Sequence, residues 1–483
     1  MGLFLWSSGT PRQVIDIVHN CGLSISYDSI IRLITSLATK SMAANVVTAS
    51  ERHLLSYDNI DIPISIHVEQ GGDGAPAKII RGTFGILYDL YTKGVGEGMK
   101  IEPILKRFAT TKGLNFATDV RPSRTSLSNM QHQFKVILIR ALTRHVRGFQ
   151  NYAGHPGLQH HARRALPPGH RTIQHPVRVS SIDEATIIGN LEYHDDLYLR
   201  QFMQTAGQLS DWAIPCINDQ LTNSRIRSAQ ERRSADTDAW NRRQVFQLAP
   251  GLFHLCLNLV WAVLHIHRGS ASQLGTLKYF FDILNGKNRL GKENPDYHTL
   301  LMMLMQILDG LALNAWTLAT GESNLDTFAN SSPSDHLLYE KAGWILQNCA
   351  TPTPSPRPPP SPSKNAKAGT TDDVPEEAAS SAGKRGKSRP KKKRTGKDAS
   401  GSPASELPGL EEDVVLYNVQ CLMRDLLYVA EVVQAIADGD FGRVEDILPQ
   451  LTMIFQAADS NKYVMEILYL IHNLKHVWTP EFA

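Results

Sequence analysis

The sequence predicts a mainly α-helical protein with a smaller α/β core. Apolar residues recur at spacings of three and four over most of the chain, which is typical of amphipathic helices. A few short segments instead alternate apolar and polar residues or form brief apolar runs, which indicates strands. The 483 residues, 42% of them hydrophobic, suffice for one large domain or for about two or three smaller ones.

Residues 1–50 are predicted to form an N-terminal helical segment. Val14 and Val18 lie on one face of a first helix, and residues 30–37 supply a second helix after the turn at Cys21-Gly22. Two short helices around a glycine turn are compatible with a helix-turn-helix, but such hairpins are more often plain packing units.

The clearest strand is predicted at residues 60–68, near the start of a central region that spans residues 51–349. Apolar residues occupy its even positions, which indicates a half-buried strand. Pro63 cannot donate a ladder hydrogen bond, so this strand is expected to be an edge strand or to carry a bulge. Asp58 falls on the parity of the apolar face, where a carboxylate needs a partner, a metal ion or a raised pKa.

Residues 121–178 are predicted to form an exposed basic loop. They include ten basic residues, seven histidines and no acidic residue. The histidines after Gly148 are irregularly spaced, and Pro167-Pro168-Gly169 breaks any helix between them, which favours a loop over a metal site. The histidines concerned are His155, His160, His161, His170 and His175.

A second carboxylate is expected at the end of a buried strand. Residues 212–217 form a short apolar run that ends at Asn218-Asp219. Pro250-Gly251 is predicted to open a helix, and His254 and Asn258 share a face of it as satisfied core polar groups. Another apolar helix is predicted at residues 300–318.

Residues 350–409 are predicted to be a disordered linker, because they are rich in proline, serine and lysine and contain few apolar residues. Within it, residues 384–397 carry nine basic residues and no acidic one. This run resembles a nuclear-import signal, which predicts an intracellular, nuclear protein that binds an import receptor; a solvated charge run is the alternative. Its basic residues include Lys384, Arg385, Lys387, Arg389, Lys391, Lys392, Lys393 and Arg394.

Residues 410–483 are predicted to form a C-terminal helical block. Two segments around Val444 and Tyr463 repeat the apolar spacing of amphipathic helices, and Asp459-Ser460 separates them as a cap. Pro449 lies inside the first helix, where it is expected to produce a kink.

Several classes of protein are disfavoured by composition. The five cysteines form no CxxC pair, which is consistent with reduced thiols and gives no zinc-finger pattern. No run reaches the roughly 18 apolar residues that a membrane span needs, so no membrane partner is expected. The net charge of +3 hides segregation: without the two basic segments the remainder carries about −16, so the chain is not a uniformly basic nucleic-acid binder.

Five ordered motifs resemble domain-of-unknown-function family 6589, which is common in mushroom-forming fungi. The resemblance covers almost the whole chain except the linker, includes the C-terminal block, and implies no established activity. The motifs are Tyr57-Asp58-Asn59-Ile60-Asp61, Asp219-Gln220-Leu221-Thr222 with the arginines after it, Pro250-Gly251-Leu252-Phe253-His254-Leu255, Gly439-Asp440-Phe441-Gly442-Arg443-Val444-Glu445-Asp446 and Ser460-Asn461-Lys462-Tyr463.

Three functional hypotheses follow. The first is a transposase-like nuclease in which Asp58 and Asp219 hold Mg²⁺, and an RNase H-like arrangement of the α/β core is then one alternative. Glu445, Asp446 and Glu466 are considered as a third carboxylate, but helix packing explains them. The second is a nucleic-acid-associated protein of mobile-element origin that binds without cleaving. The third is an inactive helical protein-interaction scaffold.

Overall fold

A computed structural model describes residues 1–64, 78–90, 96–284, 290–352 and 414–483. The protein is 62% helical and contains a small mixed sheet of five strands, which confirms the predicted fold class. The predicted disordered linker falls, after residue 352, outside the described residues, and so does the basic run at residues 384–397.

The five strands form one mixed sheet in the order β3-β2-β1-β4-β5. β1 is antiparallel to β2, which is antiparallel to β3, whereas β1 is parallel to β4 and β4 to β5. Parallel neighbours need a crossover connection, usually with a helix, and helices precede and follow β4. The strands are β1 (His53–Ile64), β2 (Lys78–Asp89), β3 (Gln174–Pro176), β4 (Ile214–Asn218) and β5 (Phe246–Pro250).

Helices surround the sheet and make up most of the remaining structure. Three of them precede the sheet: α1 (Gly2–Ser7), α2 (Arg12–Asn20) and α3 (Tyr27–Ser50). The central region contributes α4 (Ile101–Thr110), α5 (Arg124–His145), α6 (Ile187–Asp195), α7 (Ala206–Leu209), α8 (Gln220–Arg232), α9 (Leu252–His267), α10 (Leu277–Ile283), α11 (Tyr297–Thr320), α12 (Leu325–Asn330) and α13 (Asp335–Cys349). The last three are α14 (Val414–Ala437), α15 (Phe441–Ala457) and α16 (Asn461–His472).

β1 differs from the predicted strand in its bounds and in its place within the sheet. It starts at His53 rather than at residue 60, and it is an inner strand between β2 and β4 rather than an edge strand. Pro63 pairs with Ile79 of β2 in unbroken register, while the described pairing to β4 is at Leu55, so Pro63 lies far from that pairing. The rest of the predicted strand, residues 65–68, lies outside the described residues.

The prediction of an exposed loop at residues 121–178 was wrong for its first part. Residues 124–145 form α5, a helix of 22 residues of which ten are buried. Its apolar stretch packs in the core, where the indole nitrogen of Trp316 donates a hydrogen bond to the Leu138 carbonyl at 3.0 Å. The basic residues that suggested a loop lie mostly on the less buried face and near the ends of this helix.

The C-terminal helices pack back onto the central region. α14 and α15 contact α5 and α9, and α16 contacts β5 and α8. The carboxylate of Asp440 accepts hydrogen bonds from the backbone N–H groups of Arg163 and Arg164, both at 2.8 Å. Arg443 and Glu431, exposed by only 2% and 1%, form a bidentate pair between α15 and α14. Pro449 lies inside α15.

Two of the described helices are long and apolar enough to cross a membrane by length and composition alone. They are α3 and α11, with 11% and 39% of their most apolar windows buried. A buried core helix and an N-terminal signal sequence pass the same test, so length and composition do not distinguish these helices from membrane spans. The absence of a membrane partner stays a prediction.

The buried Arg443–Glu431 pair yields a stability prediction. Arg443→Met leaves the Glu431 carboxylate buried without its cation, which is expected to lower the free energy of unfolding by about 3–5 kcal/mol. Combining it with Glu431→Leu should restore much of that loss, because both charges are then absent. Urea unfolding measures both changes, with Arg232→Met at the exposed end of α8 as a near-neutral control. A single variant that unfolds like the control would contradict the prediction.

Candidate functional site

Strand register brings the two predicted aspartates to one level of the sheet. Leu55 of β1 lies opposite Cys216 of β4 in parallel register. Asp58 lies three residues after Leu55, and Asp219 lies three residues after Cys216, directly after the end of β4. Ligand sites in open sheets form at the carboxyl ends of parallel strands. Asp219 lies at such an end, and Asp58, within the longer strand β1, lies level with it.

Asp58 is exposed rather than buried on an apolar face. The buried side chains of this part of β1 are His53, Leu55 and Tyr57, whereas the Asp58 side chain is 59% exposed. One Asp58 oxygen accepts a hydrogen bond from the Asn59 N–H at 2.7 Å. Partial burial raises the pKa of Asp58, and repulsion from Asp219 adds to the rise, while the Asn59 hydrogen bond and His254 oppose it.

Asp219 has a structural role as well as its position at the site. Its Oδ1 accepts a hydrogen bond from the Thr222 N–H at 2.7 Å and thereby caps α8. The preceding residue, Asn218, accepts a hydrogen bond from the Tyr57 N–H at 3.0 Å, which joins β4 to β1 beside the two aspartates. The cap and this hydrogen bond fix the backbone on both sides of the Asp219 side chain.

Glu184 is a third carboxylate of the site, and the sequence analysis missed it. It is 2% exposed and lies in the turn before α6, where its Oε2 accepts a hydrogen bond from Thr222 Oγ1 at 3.0 Å. Burial raises the pKa of Glu184 to about 7; the Thr222 hydrogen bond opposes this rise, and repulsion from Asp219 and Asp58 adds to it. The local sequence around Glu184 carries no pattern that marks it.

A fourth carboxylate, Glu466 of α16, lies near Asp219 but has its own cation. It is 1% exposed, forms an ion pair with Arg227 through both carboxylate oxygens, and accepts a weaker hydrogen bond from Asn223 at 3.4 Å. Burial raises the pKa of Glu466, Arg227 opposes the rise, and repulsion from Asp219 adds to it. The interpretation of Glu466 as a packing residue therefore omitted its proximity to the site.

Glu445 and Asp446, the other two helical carboxylates considered, bind elsewhere. Glu445 pairs with Arg164 at 3.1 Å, and Asp446 pairs with Arg163 at 2.9 Å. Both pairs hold the segment after α5 against α15 and lie outside the carboxylate cluster.

The first turns of α9 close the site on the β5 side. His254 Nε2 lies 3.7 Å from Asp58 Oδ2, and its side chain is 35% exposed, so it belongs to the site rather than to the core. Asn258 is a satisfied polar group, since its amide donates to the His254 carbonyl at 2.9 Å and to the Tyr463 hydroxyl at 2.7 Å. Burial raises the pKa of Tyr463, and repulsion from Asp219 and Glu466 adds to the rise.

The carboxylates fit Mg²⁺ in donor chemistry but not in their present positions. Carboxylate oxygens are the hard ligands that Mg²⁺ prefers, and Asp58, Asp219 and Glu184 supply them. Within the described residues, however, no three His, Cys, Asp or Glu side chains are grouped closely enough to hold a metal ion. Mg²⁺ at this site therefore stays a prediction.

The raised pKa of Glu184 predicts a pH-dependent stability. Glu184 ionises near 4.5 in the unfolded chain but only at about 7 in the folded protein. Between these values the folded state binds one proton more, so this residue lowers stability by about 1.4 kcal/mol per pH unit as the pH rises. Glu184→Gln removes this dependence, so its stability relative to wild type should increase across that window and level off above it. Urea unfolding between about pH 3.5 and about pH 8, roughly one unit beyond each pKa, measures the difference; parallel curves would contradict the assignment.

Comparison with family models identifies a family for most of the chain. The model of a family of unknown function, DUF6589, matches residues 109–483. No curated protein and no solved structure matches the chain significantly.

The matched region contains four of the five motifs that resemble this family. Tyr57-Asp58-Asn59-Ile60-Asp61 lies before residue 109 and outside the match, as do β1 and β2. The fungal origin suggested by the motifs stays a prediction. Because the match runs from residue 109 to the last of the 483 residues, well over half of the protein, the chain belongs to the DUF6589 family.

Proposed function

We propose that this protein is a nucleic-acid-associated protein of mobile-element origin whose carboxylate cluster supports divalent-metal-dependent phosphoryl transfer. The observation that carries the proposal is the proximity of three carboxylates: strand register puts Asp58 and Asp219 at one level, and Thr222 hydrogen-bonds to both Asp219 and Glu184. Like charges held together, with a buried carboxyl whose pKa is raised, destabilise a fold and mark candidate functional sites.

The strand order supports the same proposal. The order β3-β2-β1-β4-β5, with β1 antiparallel to β2 and parallel to β4, is the arrangement we expect of an RNase H-like core. RNase H-like folds place their metal-binding carboxylates at strand ends and on a later helix. Asp219 directly follows the end of β4, and Glu466 lies on a later helix, while Asp58 lies within β1 at the level of Asp219.

The residues around the cluster have separable roles in this proposal. A bound divalent cation would neutralise the carboxylates and a substrate phosphate. Asp58, with its side chain 59% exposed, is free to turn towards Asp219 when the cation binds. Asp219 stays anchored by its cap on α8, and Thr222 orients Glu184 through its hydroxyl.

Arg225 supplies a positive charge beside this acidic cluster. Its Nε donates to the carbonyl of Ala185, the neighbour of Glu184, at 3.2 Å. Within the described part of the chain, the structure gives its two terminal nitrogens no hydrogen bond or ion pair. A half-buried guanidinium that is held at Nε and open at its tip suits a phosphate group, so we assign Arg225 to the nucleic-acid backbone.

Import into the nucleus is part of the same proposal. It rests on the basic run at residues 384–397 alone, which resembles a sequence that import receptors bind.

A second candidate function is a helical protein-interaction scaffold. Exposed apolar side chains on the N-terminal helices favour it, among them Phe4 (71% exposed), Ile17 (62%) and Leu37 (52%). Large exposed apolar patches mark interaction sites. The scaffold does not require the carboxylate cluster, so metal binding distinguishes the two functions.

The metal site is tested by removing one charge at a time. Asp58→Asn and Asp219→Asn are expected to weaken Mg²⁺ or Mn²⁺ binding by more than about 100-fold, the upper range for loss of groups that only support a ligand. Asparagine is also a good helix cap, so Asp219→Asn should keep α8 intact. Calorimetry measures binding, and cleavage of a labelled oligonucleotide measures activity.

Asp61→Asn is the matched control for that experiment. Asp61 lies on the same strand as Asp58, its side chain is equally exposed at 59%, and it pairs with Arg81 at 3.5 Å. This variant should bind metal like the wild type. A folded wild-type protein that binds neither cation would remove the catalytic proposal and favour the scaffold.

The role of Arg225 is tested through the salt dependence of nucleic-acid binding. Arg225→Gln should make the slope of log Kobs against log salt concentration shallower by about 0.7–0.9, because one phosphate contact is lost. Arg232→Gln, at the exposed end of the same helix, should leave the slope unchanged. Equal slopes for all three proteins would exclude a phosphate contact at Arg225.

A further inference from the structure

Four rings line up across the surface next to the carboxylate cluster, and we call them the aromatic shelf. Its members are His254 and Phe253 at the start of α9 and Tyr297 and His298 at the start of α11. Neighbouring ring centroids are 5.5 Å apart for His254 and Phe253, 5.5 Å for Phe253 and Tyr297, and 5.1 Å for Tyr297 and His298. All three contacts are edge-to-face, which is a favourable geometry for aromatic pairs.

The shelf begins at the candidate site. His254 Nε2 is 3.7 Å from Asp58 Oδ2, so the first ring adjoins the carboxylate that β1 presents. The ring contacts continue from His254 through Phe253 and Tyr297 to His298, and two of these rings are exposed: Phe253, at 56%, and His298. A ligand with one group at the carboxylates therefore adjoins His254, and the exposed ring of Phe253 lies directly beside His254.

Packing does not explain the exposure of Phe253. A phenylalanine at the start of an apolar helix is normally buried, and the next residues of α9 that face the core, Leu255 and Cys256, are 0% and 3% exposed. Phe253 instead points away from that core and contacts only its neighbours in the shelf among the ring contacts of the described residues.

We infer that the aromatic shelf binds an unpaired base of the nucleic acid by stacking while a divalent cation holds a neighbouring phosphate at the carboxylates. This inference rests on the proposed function and adds the substrate class: single-stranded or locally unpaired nucleic acid. Bases stack on exposed aromatic side chains irrespective of sequence. A base combines a planar ring, which suits Phe253, with hydrogen-bonding groups, which suit the neighbouring His254. A purely apolar peptide has no such hydrogen-bonding groups and fits this pair of residues less well.

The experiment compares oligonucleotide binding by Phe253 variants with Ca²⁺ in place of Mg²⁺ or Mn²⁺, so that a hard divalent cation is available to the carboxylates while cleavage does not interfere. Phe253→Ala should weaken binding of a fluorescent single strand by about 30-fold, the middle of the range for loss of one stacked base. Phe253→Tyr keeps a ring and should retain wild-type affinity. Neither change should alter binding of a fully paired duplex, because its bases are already stacked.

Phe108→Ala is the matched control. Phe108 lies on α4, away from the shelf, and has the same exposed fraction as Phe253, 56%. It should bind the single strand like the wild type. Because Phe253 is largely exposed, the variants should fold, and circular dichroism checks this.

The outcomes separate the shelf from the proposed function. Equal single-strand binding by Phe253→Ala and wild type would overturn the shelf and leave the carboxylate site standing. Equal weakening of single strand and duplex would also overturn it, because stacking on unpaired bases would not be the cause. A wild-type protein that binds neither nucleic acid would overturn the proposed function itself.

Discussion

The parallel pairing of β1 with β4 is the constraint on which the rest of the structure depends. It joins Leu55 to Cys216, both fully buried, and the Tyr57 N–H completes it by donating to the Asn218 side chain, 161 residues away in sequence. A pairing of such sequence separation carries a large cost in chain entropy, which burial of both strands offsets. Once it forms, the positions of Asp58, Asp219 and the start of α9 are set together.

The carboxylate cluster contrasts two ways of holding an acid in a protein interior. Glu466 is paired with Arg227, so its charge is compensated within the fold. Glu184 has hydroxyl and amide donors but no cation among its described hydrogen bonds and ion pairs, and its pKa is raised to about 7. Tyr57 supports this arrangement through Asn190, because the Tyr57 hydroxyl donates a hydrogen bond to Asn190, which in turn donates one to Glu184. A buried carboxyl that destabilises the fold in this way is expected at a functional site, where a ligand compensates its charge.

The family boundary and the folded unit do not coincide. The match begins at residue 109, yet the sheet takes β1 and β2 from the preceding segment, and β1 lies between β2 and β4. At the other end, α16 contacts β5 and α8 although residues 353–413 separate α13 from α14. The Asp440 hydrogen bonds fasten this last block to the segment after α5, and the buried Arg443–Glu431 pair joins α14 to α15 within the block. The candidate site therefore combines Asp58, which precedes residue 109, with Asp219 and Glu184, which lie within the matched region.

The sequence by itself determined the elements whose pattern is local. The helices α9, α11, α15 and α16 show strong apolar periodicity, and β4 is an apolar run with Asp219 at its end, so these were predictable. Only the tertiary structure decided the sheet order, the inner place of β1, and the strands β2, β3 and β5, because strand pairing joins residues that no local pattern relates. It also decided that α5 is a buried helix despite its basic composition, and that Glu184 belongs to the site. Glu184 is buried and its pKa raised only because α6 and α8 pack around it, and such an environment is not written in its neighbouring residues.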